Sequence, residues 1–465
     1  MKKFENQVVR GVWKAGAALA VLAWAGAAQA QTTTGTTDEQ QAPAGQSQTQ
    51  QSNDQVRPSP DTGNVAASTG AVTVNPDEPV AADIVVTGSR IRGSAPVGSS
   101  VIAIDRSAIE NSQAVTTDRL IKDIPQVFDL GTSENSRGQS GGSNNITYGN
   151  AINIRGIGPY ATLTLVDGHR AVNNSRSVDP SIIPTLGLER VEVIADGASA
   201  VYGSDAVAGV VNLIPRRDLD GVNAMARMGV ADNFHESQLG IAAGKTGDWG
   251  QVMVAYQHVY RSNLNGDDRA FFTSDQRPYG GPDYRTNRCD PGNLVVDGRS
   301  YAIPQGGVTV ANPGALQPGT TNLCEAFVGQ DLFPQTDYDS VNATYTAHIT
   351  DWLDFFGDGY WSQRNFRRLS GYQNGSFVVP ETNAFFVRPT GTTGPVTAQL
   401  LLGDFGNQEV SGFTRSWQTT NGLRARFGGW EVTGQISWGR GRDESDSYSG
   451  IDTAAMQAAL ASSDP

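Results

Sequence analysis

The residue types that most often carry chemistry are few and scattered in this chain of 465 residues. It has four histidines, and these are scattered between positions 169 and 348. His169 follows a turn signal and His348 falls on the inward face of a predicted strand, so we interpret both as ordinary polar contacts. Asp267-Asp268 lacks the ligand spacing of an EF-hand loop. The sequence therefore predicts no catalytic residues, no metal site and no cofactor.

One segment has the residue order of a phosphate-binding loop. The run Gly240–Thr246 ends in Gly-Lys-Thr, but it is one residue too short and follows no apolar strand of a βαβ unit. We interpret 244–248 as a turn between two strands.

The two cysteines, Cys289 and Cys324, lie in one segment rich in Gly, Pro and Asn. No histidine lies between them, and a metal site would need further ligands. If the chain is exported, an oxidising compartment favours a disulfide between the two. Closing a loop of that length would stabilise the fold by about 3–4 kcal/mol in the chain-entropy model.

The N-terminus has the features of a secretory signal peptide. Basic residues precede the apolar stretch 15–28, and the tripeptide 28–30 matches a small-residue cleavage site. We predict that residues 1–30 are removed and that the mature chain starts near Gln31. The alternative is a short membrane anchor.

The bulk composition restricts the class of protein. The net charge is −13, and no stripe of Lys and Arg is present, which argues against nucleic-acid binding. No later segment approaches the roughly 20 apolar residues of a membrane-spanning helix. A transmembrane β-barrel remains compatible with the mean hydropathy of −0.34, because barrel strands alternate lipid-facing and lumen-facing residues.

Before the first folded domain, the sequence predicts a linker and a short strand. Residues 31–80 are rich in Gln, Thr, Ser, Ala, Gly and Pro, and we predict a disordered periplasmic linker. Residues 83–90 contain four residues with high strand propensity, which could pair with an exposed sheet edge of a partner. The alternative is that they form a strand of the next domain. The four residues are Ile84, Val85, Val86 and Thr87.

Residues 95–215 have the pattern of a compact α/β unit. Thr117-Asp118 is a helix start signal, and Pro125 ends that helix. Asp167-Gly168 after alternating residues is a hairpin turn signal. The remaining predicted elements are the strand Val101–Ile104, the loop Gly131–Asn150, and the strands Val191–Ile194 and Val207–Ile214 around a small-residue turn.

After Pro215 the sequence alternates apolar and polar residues over long runs. Residues 430–438 alternate Trp, Val, Gly, Ile and Trp with Glu, Thr, Gln and Ser. Such runs, with aromatic residues near their ends, are typical of outer-membrane barrels. A soluble β-sandwich is the alternative, but its strands usually have about five or six residues. The predicted strands are 221–231, 236–246, 249–262, 338–349, 352–367, 412–427 and 430–442.

The predicted connections differ strongly in length. Those at 247–248, 350–351 and 428–429 are short, whereas those at 263–337 and 368–411 are long. Transmembrane barrels have this asymmetry, with short periplasmic turns and long extracellular loops.

Three motifs resemble the plug domain of TonB-dependent outer-membrane receptors. They are the Arg-Gly pair at 155–156, the Leu-Val-Asp-Gly hairpin at 165–168 and the stretch 188–215. The segment 83–90 resembles the TonB box, through which these receptors contact the energy-transducing protein TonB.

This resemblance implies a fold: an α+β plug domain inside an all-β antiparallel transmembrane barrel. Residues 95–215 would be the plug and 221–465 a partial barrel, with about seven of about 22 strands. Because so few strands cannot enclose a plug, and an open edge in lipid leaves backbone groups unpaired, we expect the N-terminal part of a longer receptor.

The resemblance also implies a function: TonB-dependent transport of a scarce substrate across the bacterial outer membrane. The barrel would be surrounded by the lipids of that membrane. TonB, energised by ExbB and ExbD, would pair with Ile84–Thr87. Substrate contacts would come from 141–148, Ile157–Tyr160 and the loop 263–337, with Tyr148 and Tyr160 as stacking or hydrogen-bonding groups. Tyr148 and Tyr160 could equally pack inside the plug.

Two alternatives remain open at this point. An outer-membrane barrel that is not coupled to TonB could act as a surface-binding or adhesive protein. A secreted soluble β protein would be recovered in the medium or in the soluble periplasm. The substrate itself is not indicated, since ferric siderophores, cobalamin, haem, saccharides and peptides are all carried by members of the family.

Overall fold

The computed structural model describes residues 101–128, 134, 145–172, 177–448 and 450–464. The predicted signal peptide (1–30), linker (31–80) and TonB box (83–90) lie outside these residues, as do 141–144 of the predicted substrate loop.

The first part of the described chain, residues 101–215, forms an α+β domain around a five-stranded sheet. The strand order is β1-β4-β5-β2-β3; β2 and β5 are parallel and the other neighbours are antiparallel. Its elements are β1 (Val101–Ile104), α1 (Arg106–Ser112), α2 (Thr117–Lys122), β2 (Thr162–Val166), β3 (His169–Arg170), β4 (Leu188–Ile194), α3 (Ser199–Tyr202) and β5 (Gly209–Pro215).

The two longer helices of this domain begin at capping positions. Asp105 caps α1, and its side chain accepts a hydrogen bond from the backbone N–H of Ala108 at 2.8 Å. The sequence analysis did not predict α1. Helix α2 has Thr116 as its N-cap, one position before the predicted start, and ends at Lys122, ahead of Pro125.

The core of the α+β domain lies on both faces of its central strands. Every residue of β2 and β5 is buried, so both faces of these strands are covered and neither strand alternates between buried and exposed residues. Gly209 has φ +155°, and a Cβ there would lie 2.2 Å from the carbonyl oxygen of Ile194. Only glycine fits where β5 begins beside β4.

The rest of the described chain forms a nine-stranded sheet, here called the long sheet, and a separate two-stranded sheet. The long sheet has the order β11-β10-β15-β14-β13-β8-β7-β6, and β16 also pairs with β15. All of its pairs are antiparallel, and β9 pairs with β12 outside it. The elements are β6 (Gly221–Ala231), β7 (Phe234–Gly247), β8 (Gly250–Arg261), β9 (Leu264–Asn265), β10 (Asn293–Val296), β11 (Arg299–Ala302), β12 (Asp331–Phe333), β13 (Gln335–Thr350), β14 (Leu353–Val379), β15 (Val396–Phe427), β16 (Trp430–Tyr448) and α4 (Thr453–Leu460).

The strands predicted from alternation are all present, and the short turns lie at 248–249, 351–352 and 428–429. Residues 240–246, with the order of a phosphate-binding loop, belong to strand β7. The end of the long sheet that carries the three short turns is here called the turn end.

The predicted long connection at 368–411 is wrong. Strand β14 continues to Val379 and β15 already begins at Val396, so that only 380–395 connect them. The register shifts between Leu369 and Gln373, and this irregularity breaks the strict alternation from which strand ends were predicted.

The long sheet does not close on itself within the described residues, where β6, β11 and β16 are edge strands. None of the helices in this part of the chain has the length and apolar character that crossing a bilayer requires.

Candidate functional site

The α+β domain packs against one face of the long sheet, here called the inner face. The contact surface is largely polar, with small apolar clusters such as Val115 with Val259 and Tyr338. Alternate residues of the central long strands are buried there, and most of them carry hydroxyl, amide or charged groups. They include Ser340, Asn342, Thr344, Asp358, Ser362, Arg364, Ser416, Gln418 and Thr420. Buried polar groups need hydrogen-bond partners, and Arg364 and Gln418 find theirs in the domain, whereas Asp358 carries an oxygen without a partner among the described residues.

Arg364 of β14 is one such partner. Its guanidinium donates to the carbonyl oxygens of Thr147 at 3.0 Å and of Tyr148 at 3.1 Å, and it lies 3.7 Å from an Asp179 carboxylate oxygen. Burial raises the pKa of Asp179, the nearby Asp118 raises it further, and Arg364 opposes both effects.

Two further ion pairs join the domain to the end of the long sheet opposite the turn end. Arg119 of α2 donates to both carboxylate oxygens of Glu236, at 3.0 and 2.6 Å. Arg261, at the end of β8, donates to Glu134 at 2.8 Å. Two-point pairs of this kind fix orientation as well as distance.

Hydrogen bonds and one close approach complete the contact. The backbone N–H of Val172 donates to the Tyr360 hydroxyl at 3.1 Å and also lies 3.1 Å from Gln418 Oε1. A Cβ at Gly187 would meet Asn342 Oδ1 at 1.9 Å and the Ala255 Cβ at 3.0 Å. Glycine therefore lets the backbone of the domain lie directly on the long sheet.

Tyr148, predicted as a substrate contact, is only 2% exposed. Its ring lies 5.8 Å from the ring of Phe366, and the Arg368 guanidinium lies 4.8 Å from its centroid. A ligand reaches this ring only if these contacts break. The other interpretation of Tyr148 was that it packs inside the plug. In the structure its ring does pack, but between the α+β domain and the long sheet.

Tyr160, the other predicted contact, has an exposed side chain. It lies in the 3₁₀ turn Pro159–Ala161 that leads into β2, and Ile157 beside it is exposed as well. Of the two tyrosines, Tyr160 is the one that solvent reaches.

The predicted loop 263–337 contains the two cysteines, and the structure joins Cys289 to Cys324 by a disulfide with a Cα–Cα distance of 5.7 Å. The loop also contains the hairpin β10–β11, whose strand β10 pairs with β15. Its Asp297-Gly298 turn is a hairpin signal that the sequence analysis did not use.

The outer face of the long sheet points away from the α+β domain, and it carries two rows of tryptophans. Trp249, Trp352 and Trp430 lie at the turn end and are exposed. The second row is Trp361, Trp417 and Trp438: Trp361 pairs with Trp417, and the Trp417 and Trp438 rings are 5.8 Å apart.

Between these rows the outer face is mainly apolar. On β16, Val432 and Ile436 are exposed between Trp430 and Trp438. The eight steps between those tryptophans span about 26 Å along the strand at roughly 3.3 Å per residue. A strand tilt of about 40° reduces this to about 20 Å, most of the apolar band of about 25 Å of a membrane barrel.

Charged side chains begin directly beyond the second row. Arg440 and Arg442 follow Trp438 on the same face of β16, and Arg415 pairs with Arg442. The outer face thus changes from apolar to charged within two residues.

In the described part of the chain, two groups of His and Asp side chains are close enough to hold a metal ion. One comprises His258, Asp337 and Asp339, and the other is Asp167, His169 and Asp358. The sequence analysis missed the second group because Asp358 is distant in sequence from the hairpin that carries the other two residues.

Comparison with known proteins adds sequence relatives. Residues 94–210 match the family model of the TonB-dependent Receptor Plug Domain. The chain is 31% identical over 151 residues to the vitamin B12 transporter BtuB of Vibrio vulnificus, covering 32% of this chain and 23% of that protein. It is 30% identical over 234 residues to the vitamin B12 transporter BtuB of Vibrio cholerae, covering 47% and 35%. The chain therefore spans about a third or less of the length of these relatives.

Solved structures similar to the chain include two siderophore receptors. The ferric enterobactin receptor of Pseudomonas aeruginosa has a TM-score of 0.38 and 13% identity, with 75% of this chain and 59% of that chain covered. The siderophore receptor PirA of Acinetobacter baumannii has a TM-score of 0.37 and 15% identity, with 80% and 52% covered.

The predicted fold class is confirmed, since the α+β domain is a plug domain and the antiparallel long sheet, unclosed within the described residues, resembles the barrels of TonB-dependent receptors. The plug domain at 94–210 and the sequence relatives together support a TonB-dependent receptor.

Proposed function

We propose that this chain takes part in TonB-dependent active transport of a scarce substrate across the bacterial outer membrane. In this proposal the plug blocks the lumen, the substrate binds from outside, and TonB, energised by ExbB and ExbD, moves the plug. No catalytic residue is required.

The observation that carries the proposal is the polar contact between the plug and the inner face of the long sheet. An apolar contact of this size would resist separation in water, because moving the plug would expose apolar surface. Hydrogen bonds to water can replace those of Arg364, Gln418 and Tyr360 when the plug moves, so that the net cost per bond is only about 0.5–1.5 kcal/mol. The contact therefore suits a plug that is held firmly and can still be displaced by force.

The outer-membrane location is supported by the outer face. Its apolar band between two tryptophan rows matches the aromatic girdles of membrane barrels, and the arginines beyond the second row would lie among lipid headgroups. The predicted cleaved signal peptide, residues 1–30, would supply the export route.

Energy coupling is assigned to Ile84, Val85, Val86 and Thr87. An extended segment of strand-forming residues after a linker can add to a sheet edge of TonB, where main-chain hydrogen bonds transmit tension along the chain. The linker 31–80 lies before this segment, and the plug follows it directly, so a pull on 84–87 acts on the plug.

The substrate class stays open within this proposal. The relatives are named vitamin B12 transporters, so a cobalamin is the first ligand to test, with ferric siderophores and oligosaccharides after it. Tyr160 and the loop 263–337 are the proposed contact region.

Uptake in cells tests this function. The full-length receptor would be expressed in a Gram-negative host, and accumulation of radiolabelled cyanocobalamin and of a ferric siderophore would be followed with and without TonB. We expect accumulation of at least one ligand, abolished in the host that lacks TonB. Ligand binding at the cell surface with no TonB-dependent accumulation would favour the uncoupled, adhesive alternative. Recovery of the protein in a soluble fraction would exclude both.

A further inference from the structure

Asp167, His169 and Asp358 meet where the plug touches the long sheet. Each offers one donor atom, and the three atoms lie within 4.8 Å of one another. Asp167 and His169 flank Gly168 in the β2–β3 hairpin of the plug, whereas Asp358 lies on β14. The group therefore spans the boundary between two parts of the fold.

Two of these residues carry buried atoms that lack a partner. Asp358 is only 5% exposed, and its Oδ1 accepts no hydrogen bond from any described residue. The Nδ1 of His169 is also buried without a partner among the described residues. Leaving one such atom unpaired costs about 1–3 kcal/mol, so two in the same small group point to a ligand that both can bind.

The hairpin holds its two side chains in a fixed arrangement. Asp167 and Gly168 have φ of +48° and +79°, as a tight two-residue hairpin turn requires. The turn is anchored because the Gly168 N–H donates to Asn212 Oδ1 at 3.0 Å and the Asp167 N–H donates to the Leu213 carbonyl oxygen at 2.9 Å. Asp167 and His169 are thus positioned before any ligand arrives.

The charge of the group favours a cation. The Arg217 guanidinium donates to Asp167 Oδ2 at 2.6 Å and occupies that oxygen. Two carboxylates against one guanidinium leave a net charge of about −1 when the imidazole is neutral. A divalent cation would turn this net negative charge positive and would neutralise the charge of the buried Asp358 carboxylate.

We propose that Asp167, His169 and Asp358 form a zinc site that clips the plug hairpin to the long sheet. One imidazole nitrogen with two carboxylate oxygens suits Zn²⁺, which commonly takes three protein ligands and a water molecule. Ca²⁺ and Mg²⁺ prefer six or more oxygen ligands and are poorly served here. Donor atoms of a tetrahedral zinc site at about 2.0 Å lie roughly 3.3 Å apart, so small side-chain rotations complete the site.

The test uses the full chain, purified in detergent and freed of metal with EDTA. Titration with ZnCl₂ is followed by calorimetry and by thermal unfolding. We expect one equivalent to bind and the unfolding temperature to rise. Asp358→Asn and His169→Gln, both close in shape to the native residues, should weaken binding by more than about 100-fold, beyond the effect of losing an outer-shell partner.

His258→Gln is the matched control, because it alters the other His–Asp group, where His258 Nδ1 already contacts Asp339 at 3.0 Å. It should leave zinc binding unchanged. Loss of binding in this variant alone would move the site there, and binding that survives both Asp358→Asn and His169→Gln would overturn the proposal.

A second measurement does not depend on variants. A crystal of the native chain soaked in ZnCl₂ should show an anomalous peak at the zinc edge between the His169 imidazole and the Asp358 carboxylate. Zinc bound only elsewhere, or no stoichiometric binding, would contradict the assignment.

Discussion

The side chain of Arg364, on β14 of the long sheet, holds the backbone of Tyr148 in the plug by a hydrogen bond of 3.1 Å to its carbonyl oxygen. Tyr148 has φ +49°, a left-handed conformation that tyrosine adopts only when its surroundings impose it. The same guanidinium binds Thr147, and the Tyr148 ring packs on Phe366. This part of the plug is therefore shaped by the long sheet, and displacing the plug must release it.

Replacing Arg364 should destabilise the seating of the plug. Arg364→Ala removes the donor to two carbonyl oxygens and the ion-pair partner of the partly buried Asp179, and we expect a loss of about 3–5 kcal/mol in the free energy of unfolding. Urea denaturation in detergent, followed by tyrosine and tryptophan fluorescence, measures it. The matched control is Arg367→Ala on the same strand, whose exposed side chain pairs with Glu409 and should contribute less than about 1 kcal/mol. Equal losses in both variants would contradict the role given to Arg364.

The two tyrosines that the sequence analysis predicted as substrate contacts should behave differently. Tyr148→Ala removes a fully buried ring and should lower the free energy of unfolding by about 3 kcal/mol or more. Tyr160→Ala alters an exposed side chain and should change it by less than about 0.5 kcal/mol. In a binding assay with whichever of cyanocobalamin and ferric siderophore the receptor takes up, Tyr160→Ala should weaken affinity. Unchanged affinity would remove Tyr160 from the proposed contact region.

The cap of helix α1 should make plug stability depend on pH. The backbone N–H of Ala108 and the Ser107 hydroxyl, both bonded to the Asp105 carboxylate, hold its pKa below the usual 3.8. Its contribution is therefore present above that value and is lost as the pH falls through the lowered pKa. Asp105→Asn should keep the cap and lose this dependence, whereas Asp105→Ala should cost about 1 kcal/mol at pH 7. Thermal unfolding of the three proteins between pH 2 and pH 7 measures it, and identical pH profiles would refute the assignment.

Reduction of the disulfide should loosen one loop and leave the long sheet intact. Cys289 and Cys324 are 35 residues apart in sequence, for which chain entropy gives a stabilisation of about 3–4 kcal/mol. Limited proteolysis should cut the segment between them after treatment with dithiothreitol, and the Cys289→Ala, Cys324→Ala double variant should be cut without it. Resistance of both reduced and double-variant protein would show that the β10–β11 hairpin and its pairing with β15 hold the loop unaided.

The sequence predicted the strands because one face of each is apolar and the other polar, as residues 430–438 show. It could not predict that β14 continues past Leu369, or that β15 begins well before residue 412. The shifted register there removes the alternation of apolar and polar residues. Residues that meet across the plug contact were equally hidden. Arg364 and Tyr148, or Asp358 and His169, are far apart along the chain, and only the docking of plug on sheet brings them together. Two local signals were overlooked, Asp105 before α1 and the Asp297-Gly298 turn between β10 and β11.

The central claim is that residues 84–87 couple this receptor to TonB, and binding to TonB tests it without knowledge of the substrate. The full chain in detergent micelles would be titrated with the purified periplasmic domain of TonB. Val85→Pro removes a backbone donor from the proposed strand, and Val72→Pro makes the same change in the linker as a control. We expect Val85→Pro to abolish binding and Val72→Pro to leave it unchanged. Binding that survives Val85→Pro would contradict the coupling assigned to this segment.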